Sequence, residues 1–264
     1  MSAQPAAPAM LGWSAPTALP PLGPDELHCW AASVALCTDH VHRWHALLST
    51  DEHARRTALR MERDRTRFVI THAIKRLLLA HYTDVGTSEL GFSSGAYGKP
   101  ALSSLLAPQR ALHFNLSHSG DLVLIAVADV PLGVDVEAWA LGTSDGELDD
   151  MAVVAFSPLE REVMRTAPTT DRRRVFFDTW ARKEAYIKAT GDGVSAGLDH
   201  FDVSASVDDA RLLADRHDSA APDRWHMRAL AVAPGYSGAI AWHASSAARA
   251  RAVRLMQFVP ALTL

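Results

Sequence analysis

With 264 residues, 48% of them hydrophobic and 21% charged, the chain has room for one large domain or two packed halves and an ordinary globular composition. Its net charge of −4 argues against a general nucleic-acid binder, so no nucleic acid is expected as a partner. No Lys or Arg precedes Arg43, so a signal peptide is not expected, and the apolar run 122–134 is too short to cross a bilayer.

Residues 1–24, rich in Ala and Pro, read as a loose tail. "LHCWAASVAL" (27–36) reads as a strand with Trp30 on one face. Cys29 and Cys37 lie eight apart on what reads as one extended segment, where they cannot easily bridge. No CxxC pair suggests zinc, and a reducing cytoplasm is the expected location. One or two helices follow over 46–82, with Ser49 and Glu52 as a capping box. "DLVLIAVA" (121–128) and "PLGVDVEAW" (131–139) are apolar strands with a turn at Val130–Pro131. A second helix start has Ser157 as N-cap, Pro158 at the first helical position and Glu160 three residues after the cap. That helix should break near Pro168, and another should run from about Asp171 through Ala189 to the glycines 191 and 193. "RWHMRALAVA" and "GAIAWHA" close the chain as two strands joined by "PGYSG".

The segments "RFVITHAIKR" (67–76) and "RVFFDTWARK" (174–183) echo one another, and each follows a Ser-x-x-Glu helix start by a similar interval. Two amphipathic helices can agree this far by chance. The sharper expectation is a duplicated α+β unit with the active site between the halves.

Asp135 and Glu137 stand two apart on a strand, so both carboxylates leave the same face. A hard divalent cation relieves such a pair, although the wet end of a strand often carries one without it. Trp180, Glu184 and Lys188 repeat every four residues and share one face of a helix. That stripe suits packing plus one exposed ion pair, or a metal and an anion beside an apolar wall. "HFNLSHSG" (113–120) offers two histidines and two serines before an apolar strand, but no Gly-x-Ser-x-Gly elbow accompanies them. "YGKP" (97–100) is a turn by composition. The Arg-rich helix around residues 55–67 is a solvated face or an anion-binding one.

In order, "YGKP", "FNLSHS", "GVDVE" and "W-x-x-K-E-x-x-x-K" with a glycine exit resemble the 4′-phosphopantetheinyl transferase superfamily, closest to its two-lobed, surfactin-synthetase-activating type. The resemblance implies an α+β pseudo-dimer of two similar lobes, each a small, mostly antiparallel sheet packed with helices. The lobes would span 25–129 and 130–264. It implies transfer of the phosphopantetheine arm of coenzyme A to a serine of an apo acyl or peptidyl carrier protein, releasing adenosine 3′,5′-bisphosphate. Asp135, Glu137 and Glu184 would bind Mg²⁺, and Lys188 would reach the pyrophosphate. Glu184 would accept the serine proton, directly or through a bound water, and Trp180 would pack the helix against the core. Arg55, Arg67 and His118, with Ser117 alongside, would hold the 3′-phosphate, while Gly98, Lys99 and Pro100 line the adenine. Family members often carry a basic residue three before the position of Arg55; here it is Glu52, with His53 and Arg56 as the available substitutes. A monomer without membrane attachment is expected. The rival expectations are a magnesium-dependent phosphohydrolase and a non-catalytic carrier-binding module.

Overall fold

Residues 10–95, 98–103, 111–139, 142–193, 197–205, 209–244 and 251–263 are described by a computed structural model. The first half runs β1 (Glu26–Ser33), α1 (Val34–Cys37), α2 (Val41–His45), α3 (Thr50–Ala58), α4 (Glu62–Thr83), β2 (Phe92–Ser94), β3 (Pro100–Leu102), β4 (His113–Ser119) and β5 (Leu122–Ala128). The second runs β6 (Leu132–Ala138), α5 (Asp145–Ala155), α6 (Pro158–Thr166), α7 (Thr169–Thr190), β7 (Phe201–Val203), β8 (Leu212–Asp215), α8 (Ala221–Arg224), β9 (Trp225–Leu230) and β10 (Tyr236–His243). A last strand, β11 (Ala252–Gln257), follows. No helix among the described residues is long and apolar enough to cross a membrane.

The halves repeat one plan. The order β1-β5-β4 recurs as β6-β10-β9, with every neighbouring pair antiparallel. The hairpin β2–β3 recurs as β7–β8. Between first strand and hairpin each half carries a 22-residue helix, α4 or α7, ended by a left-handed residue: Asp84 in one, Gly191 in the other. Both expected capping boxes are present, Ser49 with Glu52 and Ser157 with Glu160. Each capping glutamate is also buried and holds the basic end of the echoed segments. Lys75 and Arg76 donate to Glu52 at 2.6 and 2.7 Å, and Lys183 donates to both oxygens of Glu160 at 2.8 and 2.6 Å. The echo is thus a repeated buried ion pair that anchors each long helix to the short helix before it.

Strand alternation builds two layers of core. Trp30 and Ala32 of β1, with Val123, Ile125 and Val127 of β5, pack on Val69, Ile70 and Ile74 of α4. The opposite faces, Leu27, Cys29 and Ala31 with Leu124 and Ala126, meet Val134, Val136, Ile240 and Trp242 of the other sheet. The two sheets therefore close on each other as well as on their own helices.

Several expectations change. The first strand ends at Ser33, whose hydroxyl accepts from the Leu36 amide and starts α1. Cys37 is therefore helical and lies in the α4-side core, while Cys29 lies in the inter-sheet core. Both thiols are free. The tail is not loose over residues 10–24: Trp13 is buried and its indole donates to the Ala231 carbonyl at 2.8 Å. The lobe boundary is crossed at the end of the chain, because β11 lies parallel to β1 in the first lobe's sheet. The strands on either side of Val130–Pro131 belong to different sheets.

Candidate active site at the lobe junction

The lobes meet where β4 runs beside β6. Asn115, Ser117 and Ser119, alternate residues on β4, offer side-chain oxygens to the amides of Val134, Val136 and Ala138 on β6, at 2.9, 3.4 and 3.0 Å. Side chains here satisfy the edge of a strand that backbone pairing leaves open. The same hydroxyls turn to the carboxylates: Ser117 donates to Asp135 at 2.7 Å and Ser119 to Glu137 at 3.0 Å. The polar stretch "FNLSHS" thus stitches the lobes and aims the β6 carboxylates. Ser117, expected beside a phosphate, is buried in that seam.

Helix α7 lies directly on β6 because residue 133 is glycine. A Cβ there would stand 2.2 Å from the Ala185 carbonyl oxygen and 2.3 Å from the Ala189 nitrogen. This close approach brings Glu184 and Lys188 to the β6 carboxylates. Lys188 donates to Asp135 at 2.5 Å, so its partner is Asp135 across the site rather than Glu184 one turn back. Trp180 stacks on Phe176, with ring centroids 5.8 Å apart, and fixes the preceding turn on the α5–α6 side.

Burial raises all three carboxyl groups above their ordinary values. Glu137 is pushed up to about 7 by loss of solvent and then by the charge of Asp135. Asp135 and Glu184 rise for the same first reason, against the pull of Lys188. One buried oxygen of Asp135, Oδ2, has no hydrogen-bond partner. Desolvated carboxylates that raise one another and leave an oxygen unpaired fit a hard cation. They do not form a closed ligand set: among the described residues, the compact group of three ligand atoms lies elsewhere.

A cleft of about 370 Å³ opens beside this group, lined from both lobes by Arg55, Gly98, Lys99, Pro100, Glu184 and Lys188 among others. It continues past Arg55 and His72 into a second hollow bordered by Lys75 and Arg76. Gly98 holds a left-handed φ of 80° in the turn, a conformation that suits glycine. Tyr97 of that motif lies outside the described residues. Lys99 crosses the junction, donating to the carbonyls of Leu132 and Ala189 at 3.0 Å each, and burial pushes its ammonium down to about 8. Its amine is therefore a bond between lobes, beyond the lining role expected of it.

Arg67 stands close enough to His118 for its charge to act on the imidazole. Loss of solvent and then the Arg67 charge lower the His118 pKa. Glu52, at the departure from the family pattern, is held by Lys75, Arg76 and His72. His53 packs on His45 and Arg56 pairs with Glu62, so neither expected substitute enters the cleft. The sequence does not single out His72, Lys75 or Asn115, which line these hollows. The first two share a helix face at i, i+3, a signal readable only once that face is known to look into a cleft.

A family model described as 4′-phosphopantetheinyl transferase superfamily matches residues 131–241, and one described as 4′-phosphopantetheinyl transferase, N-terminal, matches residues 35–130. Among relatives, the 4′-phosphopantetheinyl transferase HetI of Nostoc sp. is 36% identical over 181 residues, 68% of this chain and 74% of that one. The 4′-phosphopantetheinyl transferase Sfp of Bacillus subtilis is 27% identical over 205 residues, 78% of this chain and 86% of that one. A solved holo-[acyl-carrier-protein] synthase of Thermotoga maritima is 19% identical at a TM-score of 0.34, covering 43% of this chain and 62% of that one.

Proposed function

The chain belongs to the 4′-phosphopantetheinyl transferase superfamily and is a 4′-phosphopantetheinyl transferase acting on carrier proteins; from that premise we propose that its donor is coenzyme A and its cation Mg²⁺. The observation that carries the proposal is the convergence of Asp135, Glu137, Glu184 and Lys188 at the mouth of a cleft lined by both lobes.

Asp135, Glu137 and Glu184 would hold the cation, which when bound would neutralise charge on the pyrophosphate. Lys188, already beside Asp135, supplies a fixed positive charge to the same group. The carrier serine oxygen attacks the phosphorus that bears the pantetheine arm. The bond to the adenosine-bearing phosphate breaks and adenosine 3′,5′-bisphosphate leaves. Glu184, whose carboxylate is raised by burial, takes the serine proton. Arg55, Arg67 and His118 hold the 3′-phosphate, with Lys75 and His72 lining the hollow that continues from Arg55. Gly98 and Pro100 line the adenine.

Intact-mass analysis of an apo carrier incubated with the protein, coenzyme A and Mg²⁺ tests the reading. The carrier should gain one phosphopantetheine unit, and Asp135→Ala should lose that gain while keeping its melting temperature. An Asp135→Ala protein with near-normal turnover removes the carboxylate site. Release of adenosine bisphosphate at equal speed without carrier would instead mark a phosphohydrolase.

A further inference from the structure

On α7, Tyr186 stands two residues after Glu184 and therefore on nearly the opposite face of the helix. Its surroundings take no part in the transfer site. The hairpin β7–β8 pairs Phe201 with Asp215, and the Arg216 amide donates to the His200 carbonyl at 2.9 Å. This register brings His200, Asp215 and His217 together at the open end of the hairpin. One ligand atom from each lies within 4.8 Å of the other two.

Three further observations set this cluster apart from polar groups that merely face solvent. First, His200 Nδ1 is buried without a hydrogen-bond partner, which either protonation state of an imidazole would normally find. Second, His200 Nε2 and Asp215 Oδ1 are 4.0 Å apart, beyond hydrogen-bond distance, while the rings of His200 and His217 stack at 4.3 Å. Third, the carboxylate is already oriented. Tyr186 donates to Asp215 Oδ2 at 2.8 Å and the His217 amide donates to Oδ1 at 2.8 Å. Outer partners of this kind orient the carboxylate ligands of metals. The cluster borders a hollow of about 440 Å³ that also presents His243 and Asp192.

We propose that His200, Asp215 and His217 form a second metal site, taking a borderline transition-metal ion of the Zn²⁺ class. Two imidazole nitrogens and one carboxylate oxygen suit such an ion and not Mg²⁺, which prefers oxygen ligands alone. Three protein ligands leave a coordination position open to water or to His243. Through Asp215 and Tyr186 the ion ties the β7–β8 hairpin to the back of α7.

The full chain, stripped of metal and kept in excess Mg²⁺, is titrated with Zn²⁺ against a chromophoric chelator. The wild type should bind one equivalent. His217→Ala should weaken that binding by at least about 100-fold, and Tyr186→Phe by about 10- to 100-fold. Asp135→Asn should bind as the wild type does, which separates this site from the transfer site. His217 is exposed, so its variant keeps the fold, and a Zn²⁺-induced rise in melting temperature should appear in the wild type and vanish in His217→Ala. No binding by the wild type, or one equivalent held equally by His217→Ala, overturns the site.

Discussion

Glu137 is a carboxyl group whose folded state holds a proton that the unfolded chain releases. Its pKa stands at about 7 against an ordinary 4.5. Between those values the folded state binds more protons, so this group's contribution to stability is full below about 4.5 and is lost as pH rises through 7. In chelator, Glu137→Gln should therefore melt above the wild type at pH 8, by an amount on the order of 2 kcal/mol, and match it near pH 4.5. Thermal melts at both values check the sign, and Mg²⁺ should narrow the gap at pH 8 by stabilising the wild type. Equal midpoints at pH 8 would mean that the carboxyl is not desolvated. Glu52 shows the opposite case. Its pKa lies far below the ordinary carboxylate range although burial opposes this, because His72, Lys75 and the Ser49 amide bind the charged form. The acid that departs from the family pattern is a buried anchor of α4, with its charge turned towards Lys75 and Arg76.

Helix α7 shows how one element carries both framework and chemistry, and how far it depends on residue 133. Gly133→Ala would place a methyl group against the Ala185 carbonyl and the Ala189 amide. The expected cost is about 1–3 kcal/mol from overpacking, read as a lower denaturant midpoint. Transfer should fall further than stability, since displacing Glu184 and Lys188 by about 1 Å can cost on the order of 100-fold. A variant with a normal midpoint and normal transfer would show that the helix does not sit this close. The ends of α7 were legible in the sequence, because Pro168 and Gly191 set local backbone geometry. The capping boxes at Ser49 and Ser157 were legible for the same reason. The roles of Gly133, of the Asn115–Ser117–Ser119 seam and of Lys99 were not. Each depends on a strand or carbonyl that folding brings from far along the chain, and no local pattern records such a neighbour. The paired carboxylates and the Glu184–Lys188 stripe were visible as motifs, but the pairing of Lys188 with Asp135 needed the packing of α7 on β6.

At the scale of the molecule, the inter-sheet core joins Leu27, Cys29 and Leu124 of one lobe to Val134, Ile240 and Trp242 of the other. Neither lobe can separate without exposing that surface, so unfolding should be one cooperative transition. Tryptophan fluorescence and far-ultraviolet circular dichroism should give coincident denaturant curves; two resolved midpoints would mean that the lobes unfold independently. The duplication is faithful in order and unequal in content. Trp30 and Ala32 occupy on β1 the places that Asp135 and Glu137 occupy on β6, and the Trp30 indole is tied to the Tyr82 hydroxyl at 2.8 Å. In the symmetric plan the free edge of β1 would receive β9, as the edge of β6 receives β4. Instead β11 pairs along that edge, and Arg228 of β9 donates to the Val253 carbonyl of β11. The second junction is filled by a strand and an indole. A chain built on one plan used twice thus keeps, among the described residues, one junction that carries the paired carboxylates, and the expected stoichiometry is one donor per molecule, titrating as a single non-cooperative equivalent.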